Sequence, residues 1–217
     1  MSLRHARIVA VAGALMLALA AAAQAAVLWD QSAIDFSPTA PGIADGRFTG
    51  VGGYTDYSVN DVTVPASGWV VTTITEYFSD WQGVNMSVKA PTGSLIVTPK
   101  SGSLPAGTPS TTTVNLTWVD TVQNGQGVYV MTASNLNLAL APGDYWITVA
   151  PTAPVDNFNG NNLQWPSLLQ GAAVATFNGT SWSNLYGSHD GAFMIEGSLG
   201  ATATHSGTWG AIKSLYR

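Results

Sequence analysis

Hydrolytic chemistry in this 217-residue chain would rest on very few side chains. A nucleophilic triad needs a base within hydrogen-bond reach of the nucleophile and a carboxylate to orient that base. Of the three histidines, His5 lies in a leader segment described below, which leaves His189 and His205. His189 precedes Asp190 in Gly187-Ser188-His189-Asp190-Gly191, but neighbours on an extended chain point to opposite sides, and no G-x-S-x-G elbow occurs. A histidine in a turn is the simpler reading. Glycoside hydrolysis needs two carboxyl groups facing each other across a cleft, about 5 to 9 Å apart. Glu76 and Glu196 are the only glutamates, and both fall on predicted strands, so a facing pair is the arrangement to test. With no cysteine, thiol catalysis, thiolate metal sites and disulfides are excluded together.

Metal chemistry has little to work with. Two distant histidines give no zinc spacing. Calcium requires only oxygen ligands, and Asp156-Asn157-Phe158-Asn159-Gly160-Asn161-Asn162 and His189-Asp190-Gly191 are oxygen-rich. Phe158 stands where an EF-hand loop starting at Asp156 needs an oxygen, so that motif fails. Asp156 and Asp190 are retained as calcium candidates, and no other cofactor is expected.

Eight tryptophans are the richest signal. Most should fill a core. Trp146 shares a predicted strand face with Asp144 and Thr148, opposite Tyr145, Ile147 and Val149. Gln164-Trp165-Pro166 and Thr180-Ser181-Trp182-Ser183-Asn184-Leu185-Tyr186 set aromatics among amides and hydroxyls. A sugar ring offers an apolar C–H face and a hydroxyl rim, so an exposed aromatic plate beside polar groups suits a glycan. The candidate ligand contacts are therefore Trp146, Asp144, Gln164, Trp165, Trp182 and Tyr186.

These residues must be positioned by strands. Period-two alternation recurs along the chain: Val84, Met86 and Val88 alternate with Asn85, Ser87 and Lys89, and Leu136, Leu138 and Leu140 alternate with Asn135, Asn137 and Ala139. Pro142-Gly143 then separates that run from Tyr145, Ile147 and Val149, which predicts a hairpin. Further strands are expected at Val27–Asp30, Tyr57–Val64, Gly68–Phe78, Ser94–Thr98, Thr112–Val119, Gly127–Thr132, Ala173–Phe177 and Ala192–Gly197. About ten strands with turn-rich spacers between them predict an all-β, two-sheet antiparallel β-sandwich, jelly-roll-like, over residues 26–199.

The first 25 residues read as a signal peptide: Arg4, His5 and Arg7 precede an apolar run from Ile8 to Ala23, and Ala23-Gln24-Ala25 is the small-x-small cleavage pattern. Export to the cell surface or medium is expected, with no membrane span after cleavage. Loss of Arg4 and Arg7 takes the formal net charge from −5 to −7, the wrong sign for nucleic acid. Residues 200–217 read as a linker and a short tail ending in Lys213, Leu215, Tyr216 and Arg217.

Two stretches in order, Asn60-Asp61-Val62-Thr63-Val64-Pro65-Ala66-Ser67-Gly68-Trp69-Val70-Val71 and Leu138-Ala139-Leu140-Ala141-Pro142-Gly143-Asp144-Tyr145-Trp146-Ile147-Thr148-Val149, carry a resemblance. Together with Gln164-Trp165 and a terminal Phe193-Met194-Ile195 strand they make the chain similar to secreted bacterial β-sandwich surface proteins. Those carry D-D-F-T-V-P-x-G-x-W-x-I and L-x-x-G-x-Y-W-x-x-V motifs, mostly without an assigned activity. The resemblance implies an extracellular sandwich and brings no catalytic residues. It departs at Asn60-Asp61-Val62, where the family has Asp-Asp-Phe. The expectation from residues and resemblance together is a non-catalytic structural or interaction protein whose partner is an extracellular glycan or a surface protein. A carbohydrate-binding module is the alternative, and a glycan-active hydrolase a third reading.

Overall fold

A computed structural model describes residues 25–200 apart from 39, 41, 51–52, 80–83, 155–162, 169–173, 185 and 187–188. The described residues form two packed sheets. The first contains β1 (Ala26–Asp30), β14 (Phe193–Leu199), β5 (Trp69–Ser79), β9 (Gln126–Leu140) and β8 (Thr117–Gln123) in that order. Two-residue strands β11 (Leu163–Gln164) and β2 (Ile43–Ala44) continue it beyond the end of β14, where Gln164 pairs with Phe78. The second runs β13 (Trp182–Ser183), β12 (Val174–Phe177), β4 (Thr55–Val64), β3 (Gly46–Thr49), β10 (Gly143–Pro154), β6 (Thr92–Pro99) and β7 (Thr111–Asn115). Neighbours are antiparallel except β3 and β10, which run parallel. The architecture is the expected all-β sandwich.

Three local expectations are corrected. Alternating residues 84–88 do not make a strand: Met86–Lys89 is a single helical turn, α1, held by Ala90 N–H donating to Met86 O at 2.8 Å, with Met86 buried. Three apolar residues in alternation are too few to distinguish the two periods. The run Leu136–Leu140 does not form a hairpin with Tyr145–Val149, because β9 lies in the first sheet and β10 in the second. Apolar residues alternating on both sides of a turn suit two strands that face each other across a core as well as two that pair. Thr112–Val119 is two strands, and Leu116 sits buried at the corner where the chain changes sheet. The tight hairpin is instead β8–β9, turned by Asn124 and Gly125 at φ 48° and 74°, both left-handed as a type I′ turn requires.

A bulge bends β5 at Thr72. Toward β14 the register skips from Thr73–Glu196 to Val71–Gly197, and toward β9 it skips from Thr73–Ser134 to Val71–Leu138. On β9 the surplus residues include Asn135 and Asn137, at φ 59° and 48°. Asparagine tolerates this region and a β-branched residue does not. Asn137→Val should therefore lower stability by about 1 to 2 kcal/mol while Asn137→Gly is neutral or better; equal urea midpoints for the two variants would contradict this.

Between the sheets lies the main core, with Val71, Ile74 and Phe78 of β5, Tyr129, Met131 and Ala133 of β9, Ile147 and Val149 of β10, and Phe193 and Ile195 of β14. A second cluster covers the outer face of the second sheet: Tyr57, Val59, Ile96, Trp146, Ala150, Ala175 and Phe177, with Leu104 and Trp182 packed on it. That sheet is therefore buried on both faces.

Candidate functional site

The most polar place in the interior is a junction of three strands. Along β10, antiparallel pairing with β4 covers Gly143–Ile147, and parallel pairing with β3 begins only at Thr152. In the gap, the Val149 N–H has no ladder partner on that side. Glu76 supplies one: it projects inward from β5 on the face of Ile74 and Phe78, and its Oε1 accepts from Val149 N–H at 2.8 Å. Asp45, just before β3, does the same for β4 by accepting from Ser58 N–H at 3.0 Å. Thr148 Oγ1 stands between the two carboxyls, 3.2 Å from Glu76 Oε1 and 3.1 Å from Asp45 Oδ2. Two acids thus complete a backbone ladder that the strand exchange leaves open.

This polar seam continues away from the acids. Gln164 Nε2 lies 3.4 Å from both Glu76 Oε2 and the Ala192 carbonyl, and Asn60 Oδ1 accepts from Gly191 N–H at 2.7 Å. Ser58 Oγ donates to Ala44 O at 2.6 Å. Asp190 is also fully buried, with Gln31 Nε2 3.3 Å from its Oδ2. Burial in a low-dielectric interior pushes Asp45 up to about 7 and Glu76 well above the ordinary carboxylate range; the charge of Asp45 raises Glu76 further, and that of Asp56 raises Asp45.

Chemistry on a substrate is closed to this pair, because Glu76 and Asp45 are 0% and 1% exposed. Glu196 does not face Glu76. It lies on β14 with Met194, on the side opposite Phe193 and Ile195, which enter the core. Nor do His189 and Asp190 form a dyad. His189 Nδ1 is 2.9 Å from the carbonyl of Tyr186, while Asp190 is turned into the interior.

The proposed ligand contacts are dispersed. Trp146 occupies the face shared with Asp144 and Thr148, but it is 0% exposed. Leu104 packs against its cluster and Lys100 Nζ sits 4.7 Å from its ring centre, so the expected wet plate is a core residue. Gln164 is likewise buried, in the acid network rather than on a surface. Asp144 is exposed and accepts from Thr63 Oγ1 at 2.6 Å. Half-buried Trp165 packs on Phe36 with ring centres 5.1 Å apart. Tyr186 Oη accepts from Ala44 N–H at 2.9 Å, and burial raises the phenol's pKa. Trp182 lines a groove, a space of about 310 Å³ with Leu104, Pro105, Gly107, Thr108, Thr180 and Ser181. Its Nε1 donates to Gly107 O at 2.7 Å and its ring packs on Phe177.

Of the calcium candidates, Asp156 lies outside the described residues and Asp190 is in the interior. Among the described residues no three His, Asp or Glu side chains cluster as a metal set, and no helix is long and apolar enough to cross a membrane. Sequence reasoning missed Asp45. It sits in Ala44-Asp45-Gly46, where an aspartate before glycine reads as a turn. Comparison with protein-family models, curated proteins and solved structures returned no match.

Proposed function

We propose that this chain is an exported, non-catalytic β-sandwich domain that serves a structural or interaction role outside the cell. The observation that carries the reading is the placement of Glu76: the glutamate best placed by its strand for acid–base work is sealed between the sheets and spends its oxygens on Val149, Thr148 and Gln164. Export is supported by the basic start, apolar run and small-x-small site in residues 1–25. Purified mature protein should show no turnover on ester, glycan and peptide panels. Reproducible turnover that disappears on changing Glu196, Asp144 or His189 would reject the proposal.

A glycan-binding role is the second reading, favoured by one feature. Trp182 is held in place through its indole N–H and opens onto a groove edged by the hydroxyl residues Thr108, Thr180 and Ser181. A fixed aromatic plate with hydroxyls beside it meets the requirement for stacking on a sugar ring. Cello-, xylo- and chito-oligosaccharides are suitable probes. At least one should shift the tryptophan fluorescence, and Trp182→Ala should weaken its binding about tenfold, the equivalent of about 1.4 kcal/mol. If no oligosaccharide perturbs the fluorescence, Trp182 is only a packing residue.

A further inference from the structure

We propose that the Asp45–Thr148–Glu76 bridge is a proton-held latch, closed by one proton shared between the two acids and loosened when that proton leaves in mild alkali. The stoichiometry of hydrogens carries this. A threonine hydroxyl has a single hydrogen, yet Thr148 Oγ1 lies within bonding distance of carboxyl oxygens on both sides. Thr148 donates to one of them, and the other contact must be closed by a hydrogen that the acid itself carries. With both acids ionised, the threonine hydrogen serves one carboxylate and the Thr148 oxygen faces the other with no hydrogen between them, in a sealed interior.

Among the described residues no positive charge is placed against them. Asp45 is flanked by Asp56 on β4, half-buried and negative, and by the Tyr186 phenol; both act on Asp45 or share its surroundings. Arg47, the nearest cation in sequence, is exposed. Lys100 is engaged with Asp61 and covers Trp146 on the outer face of the second sheet. Near Glu76, the inward residues of β5, β9 and β14 are apolar, the β11 neighbour is the neutral Gln164, and Asp190 adds another acid among the buried polar residues. His189 faces the Tyr186 carbonyl.

The sign follows from linkage. Unfolded carboxyls titrate near pH 4, whereas both folded groups are raised, so the folded state binds more protons above about pH 4. Stability from the bridge is full in acid and is lost as pH rises through about 7 at Asp45, and the raised Glu76 acts in the same direction. Because the bridge joins β5 to β3, β4 and β10, its opening should appear first at the strand junction.

Infrared difference spectra of the intact protein test the idea. A protonated carboxyl band should be present at neutral pH and vanish in alkali. In Asp45→Asn, whose amide can donate to Thr148 in place of the acid proton, the pH-dependent part of the band should shrink. The intrinsic-rate-corrected exchange of the Val149 amide should speed up about tenfold between about pH 6 and pH 9 in the parent and stay flat in Asp45→Asn. Absence of the neutral-pH band, or identical pH profiles for parent and variant, overturns the latch. If the variant does not fold, the band of the parent protein decides alone.

Discussion

Trp146→Ala should cost the fold about 3 to 5 kcal/mol, the range for removing a large aromatic from a close-packed interior. The indole is fully buried on the outer face of the second sheet, where Tyr57, Val59, Ile96 and Ala150 surround it and Leu104 packs on the cluster. Lys100, paired with Asp61, lies over the ring and closes the site from solvent. The loss has two parts, the transfer of the removed surface and the cavity that rigid strands cannot collapse. Trp146→Phe should lose much less, because it keeps most of the apolar area and removes an indole N–H that is buried without a hydrogen-bond partner. Urea midpoints at constant slope measure both. Were Trp146 a wet sugar plate, alanine would leave stability within about 0.5 kcal/mol and alter glycan retention instead.

Trp146 also shows where a sequence stops being readable. Alternation placed it correctly on the face of Asp144 and Thr148, since the period of a strand is local. Whether that face is wet depends on Leu104 and Lys100, some forty residues away in a Gly- and Pro-rich segment with no periodicity. Pairing partners were hidden for the same kind of reason. The strands β9 and β10 flank a turn in sequence, yet only the whole topology decides whether a turn folds back within a sheet or crosses to the other one. The hairpin signal that the reading passed over is Asn124-Gly125, residue types that type I′ geometry demands. The acid junction was not legible at all. Glu76 interrupts an apolar strand face, Asp45 sits in a turn-like triplet, and their meeting is set by the place where β10 exchanges β4 for β3.

The bulge at Thr72 yields the other large effect, at Gly197. Period two breaks in the sequence here, since Val71 and Ile74 both enter the core although three positions separate them. Thr72 is the surplus residue, and its Oγ1 donates to Glu196 O at 3.3 Å. The kink brings the β5 backbone onto the next residue of β14. A Cβ on Gly197 would lie 2.1 Å from the Val70 carbonyl oxygen and 3.0 Å from Leu28 Cδ1. The first of these is main chain in the middle of a seven-residue ladder running from Phe193 to Leu199, so no side-chain rotation relieves it. Gly197→Ala should accordingly destabilise by about 3 kcal/mol or more, at the upper end of overpacking effects. Gly125→Ala is the contrast: nothing lies within 4 Å, and only its left-handed φ of 74° is strained, for about 1 kcal/mol. A third substitution, Gly191→Ala, meets the far end of the Gln164 side chain rather than backbone and should fall between them. Denaturation of the three variants in parallel ranks the sites. A Gly197→Ala protein as stable as Gly125→Ala would mean that β5 and β14 are not pressed together at the bulge.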